Sequence, residues 1–158
     1  KNQKVSDQLI ADSGYGQGQI LMNPLQLASI YSAFVNNGSI YRPHLVEQGE
    51  QMWIQRVFSD KTVKTIKEDL INVIADEKGT GHSIYHDNVT LAGKTGTAEI
   101  KQSQSDTTGT ELGWFTVMTI DEKQPILMTT VVEDVKNRGG SGYVVEHTKT
   151  PLDLYLSK

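Results

Sequence analysis

The sequence predicts a β-sheet covered by helices on both sides, and three observations predict it. Two segments carry apolar residues at helical spacing, and the second half of the chain holds three β-rich runs, 89–100, 112–120 and 126–132. The last two runs are joined by Asp121-Glu122-Lys123-Gln124-Pro125, a polar link short enough to make them a hairpin. Both faces of that hairpin are apolar or Thr, so both should be covered.

Taken in order, residues 1–13 are polar and predict no clear element. Gly14-Tyr15-Gly16-Gln17-Gly18-Gln19 is a glycine-punctuated turn. A first helix follows: Asn23 suits the cap, Pro24 the first helical position, and Asn36-Asn37-Gly38 a left-handed stop. Leu27, Ile30, Tyr31, Phe34 and Val35 fall on one face of it. Residues 40–46 contain Arg42-Pro43 and predict an extended edge segment, with a short strand over 52–58. A second helix runs from Ser59 or Asp60 to Ala75. Val63, Ile66, Leu70, Val73 and Ile74 form its inner stripe, and Lys61, Lys64, Lys67 and Glu68 face water. Gly79-Thr80-Gly81 stops it. Residues 101–110 are almost wholly polar and predict a mobile loop. Arg138-Gly139-Gly140-Ser141-Gly142 predicts a flexible turn. A tail helix from Tyr143 meets Pro151, which removes one helix hydrogen bond, so a kink or a restart capped by Thr150 is expected.

A chain of 158 residues makes one domain or one large piece of a bigger one. Its apolar fraction of 37% and charged fraction of 22% are those of a globular protein. A net charge of −4 argues against nucleic acid as partner, and Lys61, Lys64 and Lys67 read as a solvated helix face. Cysteine is absent, which excludes disulfides, thiolate zinc sites and thiol catalysis. No apolar run is long enough to span a membrane. The opening Lys1-Asn2-Gln3-Lys4 shows neither an initiator Met nor a leader pattern, so the expectation is a trimmed piece with an anchor or partner domain upstream.

The chemistry concentrates in Ala92-Gly93-Lys94-Thr95-Gly96-Thr97-Ala98-Glu99. A phosphate-loop reading of Gly93-Lys94-Thr95 fails twice: position 88 is Asn88 where a glycine is needed, and a strand follows where a helix is needed. The Lys-Thr-Gly element of serine acyl-enzymes fits better. Strand alternation puts Thr95 and Thr97 on one side and Lys94 on the other. Two hydroxyls on one side can hold a carboxylate, and the ammonium supplies positive charge. Gly96 leaves room for an extended peptide, and the Thr97 amide can donate to an oxyanion. Other polar residues carry less. His82 and His86 lack a third ligand, Glu133-Asp134 reads as a pair of solvated strand-end acids, and His147 as a surface helix residue.

Three blocks in order resemble the C-terminal part of the transpeptidase domain of class B penicillin-binding proteins. Tyr15-Gly16-Gln17-Gly18, Asn23-Pro24-Leu25-Gln26-Leu27-Ala28 and Asn36-Asn37-Gly38 resemble the turn and long helix before the third motif. Gly93 to Glu99 resembles the third motif itself, and Leu112-Gly113-Trp114-Phe115 the next strand, where an aromatic pair packs behind the site. The tyrosine-glutamine turn and the Lys-Thr-Gly-Thr-Ala-Glu run look closest to low-affinity, resistance-type members of Gram-positive bacteria.

The resemblance implies an α+β fold of the penicillin-binding protein and serine β-lactamase kind, an antiparallel sheet flanked by helices with the site on an edge strand. It implies a peptidoglycan D,D-transpeptidase that binds β-lactams, needs no cofactor or metal, takes D-Ala-D-Ala stem peptides and works on the extracytoplasmic face of the membrane. Lys94 would manage charge and protons, Thr95 and Thr97 would hold the carboxylate, with Gly96 beside them, and Glu99, Gly139 and Gly140 would border the substrate. Ser-x-x-Lys is absent, as are Ser-x-Asn and Tyr-x-Asn. In the family these lie upstream, so residues 1–158 are expected to be the C-terminal portion of one domain, inactive alone. Its partner would be the missing N-terminal half, and the run 126–132 would expose an unsatisfied edge that aggregates, dimerises or recruits that half. Two other readings stay open: a β-lactam sensor domain and a noncatalytic interaction module.

Overall fold

The computed structural model describes residues 6–16, 20–46, 49–100, 108–121 and 123–158. Lys1-Asn2-Gln3-Lys4, Gln17-Gly18-Gln19 and residues 101–107 of the expected loop lie outside the described residues.

The elements begin with a helix that sequence periodicity does not register, α1 (Asp7–Gly14). The Ser6 side chain caps it by accepting from Leu9 N, and Gln8 Nε2 donates to Asp12 Oδ1 at 3.0 Å. It buries no residue, so local polar contacts alone define it, and the expectation of no element over 1–13 is corrected. Helix α2 (Pro24–Ser32) has the expected Asn23 cap, whose side chain accepts from Leu25 N at 2.8 Å. It ends earlier than its apolar spacing implied. Tight turns carry the chain to Asn37 (φ 49) and Gly38 (φ 78), and Gly38 N donates to Ala33 O at 2.8 Å. Phe34 is buried and stacks on Phe58, whereas Val35 is exposed.

Strands β1 (Ile40–Tyr41) and β2 (Met52–Ile54) form a small antiparallel ribbon. β2 stops short of the expected 58 because Arg56 takes a left-handed φ of 50, held by a two-pronged bond to Asp60 at 2.8 and 2.9 Å. Helix α3 (Asp60–Ala75) matches expectation: Ser59 caps it, and Val63, Leu70 and Ile74 are buried.

The main sheet is antiparallel, in the order β3 (Leu91–Ile100), β4 (Thr110–Thr119), β5 (Leu127–Val132). Helix α4 (Ser141–Leu156) covers one face. There Phe115, Val117 and Leu91 pack with Val135, Val144, Val145 and Leu152. On the other face Ala92 and Met118 pack with Phe34 and Leu70. Ile74, at the end of α3, belongs to the α4-side cluster and so ties the two layers together. Helices on both faces of an antiparallel sheet are thus what the chain builds.

Two expectations about the C-terminal region are corrected. Helix α4 runs through Pro151 without a restart, and Thr150 caps nothing. An interior proline costs roughly 3 kcal/mol, but here it sits on the exposed face. Val144, Val145, Thr148 and Leu152 are buried on both sides of it, and Lys149 reaches across it to Asp153 at 2.9 Å. The segment read as a flexible turn, 138–142, already contains the start of α4 at Ser141. The loop before it is anchored: Val135 is fully buried, Val135 N donates to Glu111 O at 2.9 Å, and Asp134, Asn137, Gly139 and Gly140 all take positive φ.

Two predictions follow from this packing. A Cβ on Gly113 would lie 2.4 Å from Val144 Cγ2, whereas one on Gly142 meets nothing within 4 Å. Gly113→Ala should therefore lower stability by about 1–3 kcal/mol, while Gly142→Ala should raise it by up to about 1 kcal/mol, as read by paired thermal melts. Asp153 accepts from Lys149 Nζ and from His86 Nε2, each at 2.9 Å, and the Lys149 bond in particular holds its carboxyl below the ordinary value of 3.8. A depressed carboxyl contributes stability above its unfolded pKa and loses it as pH falls through the folded value. Asp153→Asn should thus lower the melting temperature at pH 7 and converge on wild type in acid below pH 3.8.

Candidate active site on the β3 edge

β3 is buried at its start and open at its end. Leu91, Ala92, Gly93 and Thr95 are buried, Gly96 to Ala98 half-buried, and Lys94, Glu99 and Ile100 exposed. The sheet order puts β3 at an edge, paired only with β4 among the described residues. Its two motif glycines differ in kind. A Cβ on Gly93 would meet Thr116 O at 2.9 Å and Ile74 Cδ1 at 3.0 Å, so internal packing demands glycine there. A Cβ on Gly96 would meet only Trp114 Cβ, at an ordinary 3.6 Å. Behind the motif Phe115 is fully buried directly across from Thr95, and Trp114 lies across from Gly96.

Lys94 extends its ammonium along the strand, donating to Thr95 O at 2.7 Å. It forms no ion pair among the described residues. Thr95 is 8% exposed, and its Oγ1 lies 2.8 Å from Thr80 Oγ1. Thr97 Oγ1 accepts from Ser141 N at 3.2 Å, which sets it against the first turn of α4, where the helix dipole adds partial positive charge. Thr95 and Thr97 therefore share the α4 side of the strand, as alternation predicted.

Gly140 joins them: a Cβ there would lie 3.2 Å from Thr97 Oγ1, and its φ of 61 suits glycine. Gly139 has nothing within 4 Å of a Cβ position. Glu99 stands farther along, across from Glu111, toward the exposed end. Sequence reasoning missed two neighbours. Thr80 lay hidden in a segment read only as a helix stop, and Ser141 in one read as a flexible turn; neither carries a motif of its own.

His82, His86, Asp134 and His147 have structural partners. His82 Nδ1–H donates to Ile74 O at 2.9 Å, and His86 turns away to Asp153. Asp134 accepts from Thr110 Oγ1 at 2.9 Å, tying the start of β4 to the loop after β5. His147 is exposed on α4 and bonds back to Tyr143 O at 2.8 Å. An open groove of about 470 Å³ lies between α2 and the β1–β2 ribbon, lined by residues such as Ser29, Tyr41, Arg42 and Glu50. It touches none of the motif. No helix among the described residues is long and apolar enough to cross a membrane.

The family model for the penicillin-binding protein transpeptidase domain matches residues 1–150. Penicillin-binding protein 3 of Bacillus subtilis is 42% identical over 147 residues, which is 91% of this chain and 22% of that protein. The peptidoglycan D,D-transpeptidase MrdA of Haemophilus influenzae is 26% identical over 166 residues, 92% of this chain and 25% of that protein. The chain thus spans a quarter or less of the length of these relatives. Among solved structures, the apo transpeptidase domain of penicillin-binding protein 3 from Burkholderia pseudomallei superposes with a TM-score of 0.65 at 20% identity, over 84% of this chain and 43% of that one. That likeness shows the fold, and the family match shows the lineage. The chain belongs to the class B penicillin-binding protein transpeptidase family.

Proposed function

We propose that this chain is the C-terminal portion of a serine-type peptidoglycan D,D-transpeptidase and supplies one wall of its active site. The observation that carries the reading is the β3 edge, where the Lys94 ammonium, without an ion pair among the described residues, and two same-side hydroxyls, Thr95 and Thr97, lie near the start of α4. An edge with that charge and those hydroxyls suits the terminal carboxylate of a D-Ala-D-Ala stem peptide, or the carboxylate of a β-lactam. Gly96 lets the peptide lie flat along the strand, and Gly139, Gly140 and Glu99 border it.

In this reading the nucleophilic serine and its lysine base come from the preceding half of the domain, since no Ser-x-x-Lys occurs here. The serine attacks the penultimate D-Ala carbonyl, the Thr97 amide steadies the oxyanion, and the last D-Ala leaves. The acyl group then passes to an amine of a neighbouring stem peptide. A β-lactam acylates the same serine. β5, an edge strand among the described residues, takes up a strand from that same half. The complete enzyme works on the extracytoplasmic face of the membrane, held by an anchor outside these residues. The Lys-Thr-Gly-Thr-Ala-Glu run favours a low-affinity, resistance-type member.

Fluorescent penicillin tests this directly. The full-length protein should label covalently and the 158-residue piece should not. Lys94→Ala in the full-length protein should slow acylation by about 100-fold or more, comparable to losing a preorganised electrostatic group. A full-length protein that never labels is noncatalytic, and near-normal acylation of the Lys94→Ala variant sinks the role of Lys94.

A further inference from the structure

Thr80 belongs to none of the recognised motifs, yet its hydroxyl is within 2.8 Å of the Thr95 hydroxyl. Its placement is built, not incidental. Gly79 and Gly81 fold the chain back onto the end of α3 so tightly that a Cβ on Gly79 would meet Val73 O at 2.2 Å and one on Gly81 would meet Ile74 Cγ1 at 3.1 Å. Gly81 N donates to Val73 O at 2.9 Å, and His82 fastens the next residue to Ile74 O through its ring. Ile84, two residues further, is fully buried and closes the segment onto the core. Thr80 is therefore carried on a turn with little freedom, and its side chain meets β3 at the middle of the Lys94-Thr95-Gly96 element.

We propose that Thr80 is a positioning residue that orients the Thr95 hydroxyl to donate to an anionic ligand on the β3 edge. Between two hydroxyls one proton donates and the other is left over. If Thr95 donates to Thr80, its proton is spent and only lone pairs face an incoming carboxylate, which repel it. If Thr80 donates, Thr95 accepts from behind and its own proton points outward to the carboxylate. The chain Thr80 to Thr95 to carboxylate then polarises in one direction, each bond strengthening the next. Thr95 is 8% exposed, so the fixed neighbour, more than water, decides its rotor. An approaching negative charge selects the second arrangement, and Thr80 makes that choice available without moving backbone.

This inference rests on the acyl-serine reading, and the experiment separates the two. Second-order acylation rates are measured on the full-length protein with benzylpenicillin and with its methyl ester, which lacks the anionic carboxylate, for wild type, Thr80→Val and Thr80→Ser. Thr80→Val keeps the shape and removes the hydroxyl. It should slow acylation by benzylpenicillin about three- to tenfold, the worth of one neutral hydrogen bond, and leave the ester rate unchanged. Thr80→Ser should restore the benzylpenicillin rate. Equal benzylpenicillin rates for Thr80→Val and wild type overturn the inference alone. So does a parallel loss with both substrates, which marks a merely structural role. A wild-type protein that neither compound acylates overturns the parent reading and this one with it.

Discussion

Leu91 through Ile100 pair in one unbroken antiparallel register with Thr119 through Thr110, and β3 has no second strand partner among the described residues. This one-sided ladder is the constraint from which the candidate site follows. Pairing fixes which residues share a face, so Thr95 and Thr97 stand together and Lys94 stands opposite. The open side gives the motif a backbone edge to offer. A strand paired on both sides would bury the same residues and present none of that edge.

The ladder is held by close packing from two directions. On one face Gly113 lets α4 come so near that Val144 and Val135 occupy the space of a side chain, which brings the first turn of α4 to Thr97. From the other direction the end of α3 crowds Gly93 through Ile74, and the turn that follows delivers Thr80 to Thr95. The hydroxyls of the motif are thus each met by a different element. At each approach a glycine leaves the space that a neighbouring side chain or carbonyl occupies. The motif is short, but the surroundings that shape it span residues 73 to 144.

Much of this was legible in the sequence, for physical reasons that differ by element. The stripe of Val63, Leu70 and Ile74 follows a helical period, and Asn23 and Ser59 are strong caps, so α2 and α3 were readable. The alternation along 89–100 sets the faces of Thr95 and Thr97. α1 was not legible because it buries nothing and is tied by short-range polar contacts such as those of Ser6, Gln8 and Asp12. Pro151 misled because local propensity forbids what Val145, Thr148 and Leu152 enforce by packing. Thr80 was invisible because its importance is a distance across fifteen residues of chain, and single-sequence patterns do not record such distances.

The central claim is that Thr95 and Thr97 together form the carboxylate wall of an acyl-enzyme site. A crystal structure of the full-length protein acylated by benzylpenicillin tests it most directly. The account predicts the drug lying along β3, with its carboxylate within hydrogen-bond distance of both hydroxyls and the Lys94 ammonium nearby. A covalent adduct whose carboxylate contacts neither threonine, or which lies away from β3, would contradict it.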